Sequence, residues 1–137
     1  MLTKKTRSAL ILLLTLYLSS PQAMWAKSSD QALIDQSTLI IKATLIDQVE
    51  SQFQNKTIRL GVLEIHQVLK GSANQALITL QLPNLLSPIN STDIRYKIGT
   101  SGLWLLTLNK NGLLSANHPQ RFMPMKQAKS ILKRLKN

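Results

Sequence analysis

Apolar and polar residues alternate along most of this chain, and alternation with period two is the mark of strands that bury one face. In STLIIKATLIDQVE, from Ser37 to Glu50, Leu39, Ile41, Ala43 and Leu45 fall on one face, and Ile40, Lys42, Thr44 and Ile46 on the other. Both faces are largely apolar, which predicts a central strand. Gln52 to Lys56 reads as a polar turn, and Thr57 to Leu69 as a second strand. There Ile58, Leu60 and Val62 share one face, and Leu63 and Ile65 the other. Beyond Ile65 the alternation places Gln67 inside and Val68 outside, yet the residue types are the reverse, and Leu69 follows directly. One extra residue flips a strand's face, so EIHQVLKG predicts a β-bulge, with Gly71 freeing the backbone to leave the sheet.

Ala76 to Leu82 predicts a third strand ended by Pro83, and Pro83 to Gly99 a long connection of the kind that is often functional. Gly102 to Leu108 is the fourth strand. Asn109-Lys110-Asn111-Gly112 is a hairpin signal, because Asn and Gly accept positive φ cheaply. Leu113 to Asn117 is the fifth strand, and His118 to Phe122 is expected to run extended, since the residue before proline avoids helix. Ser28-Ser29-Asp30 can cap a helical turn reaching Gln36. Pro124 is placed to open a C-terminal helix over residues 125–136. Ala128, Ile131, Leu132 and Leu135 form its apolar stripe, with Lys126, Lys129, Lys133 and Lys136 opposite. A helix of about 12 residues is marginal in water. It must therefore dock on the sheet or fold against a partner. The sum is a mainly β domain, a small closed or partly closed barrel with helices at its ends.

The N-terminal segment has a different grammar. Lys4, Lys5 and Arg7 precede an uncharged run from Ala9 to Leu18, then Ser19-Ser20-Pro21 and small residues. That order is a secretory signal peptide over residues 1–26, with cleavage after Ala26. Met24 stands where a small residue is preferred, and an uncleaved anchor is the alternative. The run is shorter than the ~20 residues that cross a bilayer. Residues 27–137 then make one domain of common size. With 0 cysteines it has no disulfide to lean on and no thiol for lipid attachment. Export to the periplasm or exterior of a bacterium is the expected localisation.

Charge is strongly biased, with 17 Lys+Arg against 6 Asp+Glu. Every acid lies at or before Asp93, and Arg121, Lys126, Lys129, Lys133, Arg134 and Lys136 crowd the C-terminus. Those six are the candidate surface for an anionic partner, a protein, an envelope component or a membrane face. A solvated helix face is the bland account of the same residues. Beyond the leader the aromatic residues are Phe53, Tyr96, Trp104 and Phe122. That is poor material for stacking nucleic acid, so none is expected as a partner. Trp104 in GLWLL reads as core.

The segments VLEIHQVLKG, ALITLQL, YKIGTSG and LWLLTL together resemble small secreted bacterial proteins. More remotely, they are similar to netrin-like domains and tissue inhibitors of metalloproteinases. The resemblance spans Ser37 to Phe122 and is most specific at Val68-Leu69-Lys70-Gly71 and from Gly99 to Leu106. It implies an OB-like, five-stranded barrel. Those inhibitors act through an N-terminal cysteine that reaches the protease metal. No cysteine exists here, so that activity is not implied.

Catalytic patterns are sparse. No nucleophile elbow and no glycine-rich phosphate cradle occur. Glu64 and His66 share a strand face and could start a metal site with His118, though solvated side chains on an exterior face are the simpler account. Asn55-Lys56-Thr57 and Asn90-Ser91-Thr92 match the glycosylation triplet, which has no bearing in a bacterium. No cofactor is expected. The residues favour a secreted, non-enzymatic binding domain of the cell envelope. The alternatives are a peripheral membrane-surface protein held by the basic helix, and a metal-assisted hydrolase using His66 and His118.

Overall fold

The computed structural model describes residues 27–83 and 96–137. The expected leader (residues 1–26), most of the long connection after Pro83 and Asn90-Ser91-Thr92 lie outside the described residues. The elements are helix α1 (Asp30–Gln36), strands β1 (Leu39–Phe53), β2 (Lys56–Lys70), β3 (Leu77–Leu82), β4 (Ser101–Leu108), β5 (Leu114–Ser115) and β6 (Phe122–Met123), and helix α2 (Lys129–Leu135). Ser29 caps α1 by accepting from the Ala32 N–H, as its position before the apolar residues implied. The turn between β1 and β2 is Gln54-Asn55, both at positive φ, the backbone of a two-residue hairpin.

Strand β1 is central, antiparallel to β2 on one side and to β4 on the other. The order β1-β2-β3-β5-β4 returns to β1 through the β1–β4 pairing, so five strands form a ring, with β6 added along β4. The first three strands follow one another as a meander. The fifth does not. β5 lies between β3 and β4 and touches β3 in parallel through Gln81 and Ser115. A plain meander fails because β4 is already taken up by β1, so the returning strand must use the other edge of β4. The expected fifth strand, Leu113 to Asn117, is accordingly cut to two residues.

Apolar residues on both faces of β1 and β4 have two destinations. Leu39, Ile41, Ala43 and Leu45 point inward with Leu63, Leu80, Leu82, Trp104 and Leu106. Ile40, Leu103 and Leu105 point outward, beneath Leu33 and Ile34 of α1, Ile131 of α2 and Ala128 just before it. Burying side chains of this size contributes ~1.5–3 kcal/mol each. The C-terminal helix therefore docks on the sheet; Ile131 is 1% exposed. It is shorter than residues 125–136. Pro124 leads into a 3₁₀ turn over Met125–Gln127, and α2 proper starts at Lys129. Residues 118–122 also depart from a simple extended run: His118 is extended, as proline at 119 requires, and Pro119–Arg121 is a 3₁₀ turn.

The face flip read in EIHQVLKG is present, and it is made twice. The register passes from Lys42–Gln67 to Ala43–Ile65, skipping His66, and from Ile40–Lys70 to Ile41–Val68, skipping Leu69. Ile65 and Val68 thus both reach the interior, while Leu69 packs beneath the helices. A third skip, at Ile46 on β1, inverts the hairpin beyond it. Gln48 then takes the interior side, where it accepts from Arg59 and donates to the Tyr96 carbonyl. Val49, 43% exposed, takes the outside.

Tyr96, Trp104 and Phe122 close the interior as a triangle with ring centroids 4.6–5.9 Å apart. The indole N–H donates to the Ala43 carbonyl and the Tyr96 hydroxyl to the Ala116 carbonyl, so both polar tips are satisfied. Gly102 makes room for this triangle. A Cβ there would stand 2.5 Å from the Met123 carbonyl oxygen and 2.9 Å from the Phe122 ring. Gly102→Ala should therefore push β6 off β4 and lower stability by about 1–3 kcal/mol, read as a lower denaturant midpoint. Burial pushes the Tyr96 phenol up to about 12. Its neutral form is favoured in the folded state, so this contribution is intact below pH ~10 and is lost as pH rises toward ~12. Tyrosinate absorbance in alkaline titration should show Tyr96 ionising later than a free tyrosine; a normal titration in the folded protein would contradict the burial.

Candidate functional site

The six basic residues singled out in the sequence do not form one surface. Arg121 is 8% exposed. Its guanidinium donates to Ser37 Oγ at 2.8 Å and to Gln36 Oε1 at 3.3 Å. Burial lowers its pKa. Lys70 joins it from β2, donating to the Ile34 carbonyl at 2.7 Å. α1 has no basic residue in its last turn, so these two cations, one from β2 and one from the 3₁₀ turn before β6, meet the negative end of its dipole. Arg121 is therefore part of the α1 anchor and is withdrawn from the anionic-partner surface.

Lys126, Lys129, Lys133, Arg134 and Lys136 are all exposed. Helical spacing splits them. Lys129, Lys133 and Lys136 follow at i, i+4 and i+7, with Lys126 one 3₁₀ turn earlier, so four lysines form a row. Arg134 turns the other way, toward Gln31 of α1, and Ser130 bonds Asp30 on that same flank. Among the described residues the single basic side chain within 4.0 Å of a carboxylate is His66, beside Glu64. Among the described residues, then, no carboxylate lies within 4.0 Å of the lysine row. Like charges at this spacing cost ~0.2–0.5 kcal/mol per pair in a helix. Lys129 adds to the cost: α2 begins with no acid and no side-chain cap, so a cation faces the positive end of its dipole. Lys133, in the last turn, meets the favourable end of that dipole, so the cost falls on the start of the row.

A second group crosses the outer face of β4, β1 and β2. Thr44 donates to Ser101 Oγ at 2.9 Å and contacts His66 Nε2 at 2.8 Å, and His66 Nδ1 lies 4.0 Å from Glu64 Oε1. Thr44 pairs in register with both Ser101 and Glu64, and the bulge at His66 sets that ring beside them. Glu64 and His66 are on the exterior, as the strand face implied. His118 is elsewhere: its Nδ1 accepts from the Gln120 N–H and caps the 3₁₀ turn. Among the described residues no three of His, Cys, Asp and Glu gather, so the Glu64–His66–His118 set is not assembled. The Thr44–His66 contact has the distance of a nucleophile and its base. However, both neighbours of Thr44 are paired strands, which occupy the backbone N–H groups that an oxyanion would need.

Sequence reasoning missed Thr44, Ser101, the Ile34 carbonyl held by Lys70 and the Ser37 and Gln36 side chains held by Arg121. Their partners lie on other strands, and no local spacing encodes a register between strands. Replacing Arg121 by Met should cost about 1–3 kcal/mol, because the Ser37 and Gln36 acceptors lose their donor. Thermal melting checks this, and an unchanged midpoint would remove Arg121 from the anchor. Compared with known proteins, the chain matches no family model and no curated sequence, so the site rests on its own geometry.

Proposed function

We propose that this protein is an exported, non-enzymatic binding domain of the bacterial cell envelope, built on an OB-like β-barrel, which meets an anionic partner through Lys126, Lys129, Lys133 and Lys136. The leader pattern over residues 1–26 supports export. The five-strand ring, in which β5 crosses back to lie between β3 and β4, supports the OB-like reading, since that fold is a five-stranded Greek-key barrel. The observation that carries the function is the lysine row: exposed, aligned, and without a carboxylate neighbour among the described residues.

The burial of the helix's apolar stripe favours one form of contact. Ala128 and Ile131 are committed to the sheet, so α2 has no free apolar face to insert into a bilayer. Contact with a membrane would be through charge alone, peripheral and salt-sensitive. No helix among the described residues is long and apolar enough to cross a membrane.

Sedimentation with anionic and with neutral vesicles tests the reading. Removing residues 125–137 is the wrong variant, because it uncovers the outer core. Lys→Gln at 126, 129, 133 and 136 keeps the stripe. At ~1 kcal/mol per lysine, the fourfold variant should lose up to about a thousandfold in affinity for anionic vesicles at low salt. Equal binding by the variant would rule out the lysine row. No binding to either vesicle by the unaltered protein would turn the search to an acidic protein.

A further inference from the structure

We propose that Asn111 is a modification site: it loses its side-chain amide without a catalyst, through attack by the Gly112 backbone nitrogen, and Asn109 sets the rate. Asn111-Gly112 is the one Asn-Gly pair in the chain, and it lies in the turn between β4 and β5. Both residues are exposed. The reaction joins the Gly112 nitrogen to Asn111 Cγ. The nitrogen gives up its proton, the Cγ–Nδ2 bond breaks, and ammonia leaves with that proton. A five-membered cyclic imide remains. Water then opens the ring at one carbonyl or the other. One opening gives an ordinary aspartate, and the other an isoaspartate, whose main chain runs through the side-chain carbon. Water is the sole co-reactant.

Glycine matters here for a steric reason, because a side chain on the attacking residue crowds the closing ring. At Gly112, φ is +75° and a Cβ would meet nothing within 4 Å, so the turn leaves this nitrogen open to solvent. The fold supplies the restraint. The Gly112 N–H donates to the Asn109 carbonyl at 3.0 Å. Asn109 Oδ1 accepts from the Asn111 N–H at 2.9 Å and the Leu113 N–H at 3.1 Å. Asn109 Nδ2 donates to Gln81 Oε1 on β3 at 2.6 Å. One residue therefore clips the turn shut and ties it to a neighbouring strand. Gly112 must release its hydrogen bond before its nitrogen can attack, so conversion runs through the opened turn. β5 is only two residues long, so little beyond the clip opposes that opening. The product adds a carboxylate to a turn that has none and, as isoaspartate, lengthens it by one backbone atom. This site is separate from the lysine row and does not depend on it.

The test is to hold the intact protein in warm, mildly alkaline buffer and follow its peptides by mass spectrometry. Asn111 should convert first. Exposed Asn55, Asn74 and Asn117 are followed by residues with side chains, and should convert roughly tenfold more slowly. The Asn111 rate should rise with pH, because the attacking N–H must lose its proton. Isoaspartyl methyltransferase should label the converted turn. Asn111→Gln, whose longer side chain closes a larger ring, should remove that label. Asn109→Ala takes away the clip and should speed conversion about 5- to 30-fold. Unchanged rates at Asn55 and Asn74 in that variant separate opening of the turn from unfolding. An Asn111 amide that persists as long as that of Asn74, or an equal Asn111 rate in Asn109→Ala, would overturn the proposal.

Discussion

Pairing of β1 with β2 on one edge and β4 on the other is the constraint from which the rest follows. It closes the ring, and it makes β1 and β4 apolar on both faces. A two-sided strand needs two covers. Leu63, Leu80, Leu82 and Trp104 supply the inner one, and the helices supply the outer one. In a cysteine-free domain of this size, apolar packing and ladder hydrogen bonds carry the stability. The helices are thus part of the core, and a short helix such as α2 persists because Ile131 has somewhere to go.

Three bulges turn this packing problem into a surface. Each extra residue re-aims the strand that follows it. The pair at His66 and Leu69 delivers Val68 inward and Leu69 beneath the helices, and leaves His66 outside beside Thr44. The one at Ile46 ends the apolar interior and hands the space to Gln48 and Arg59. Polar groups therefore appear where the ladder is irregular, a common place for strands to bear function.

The cations divide by the same logic. Arg121 and Lys70 gather at the C-terminal end of α1, Lys70 on the Ile34 carbonyl and Arg121 on the Ser37 and Gln36 side chains. Those on the far side of α2 meet no acid among the described residues, and their mutual repulsion works against the helix that carries them. Lys129 stands at the positive end of the α2 dipole with no carboxylate within 4.0 Å among the described residues, an arrangement that costs stability.

Period-two patterning in Leu39–Leu45 and Leu103–Leu106, the Ser29 cap, the Asn109–Gly112 hairpin and the face flip near Val68 could all be read from the residues, because each depends on neighbours within a few positions. The exposure of the C-terminal lysines was legible for the same reason: helical spacing sets them opposite Ile131. The place of β5 between β3 and β4, the burial of Arg121 and the line from Ser101 through Thr44 to His66 were not legible. Each is a contact between residues distant in the chain, and only closure of the sheet determines which strand lies beside which and at what register. Local periodicity gives a residue its face; tertiary pairing gives that face its neighbours, and the chemistry of both candidate surfaces comes from those neighbours.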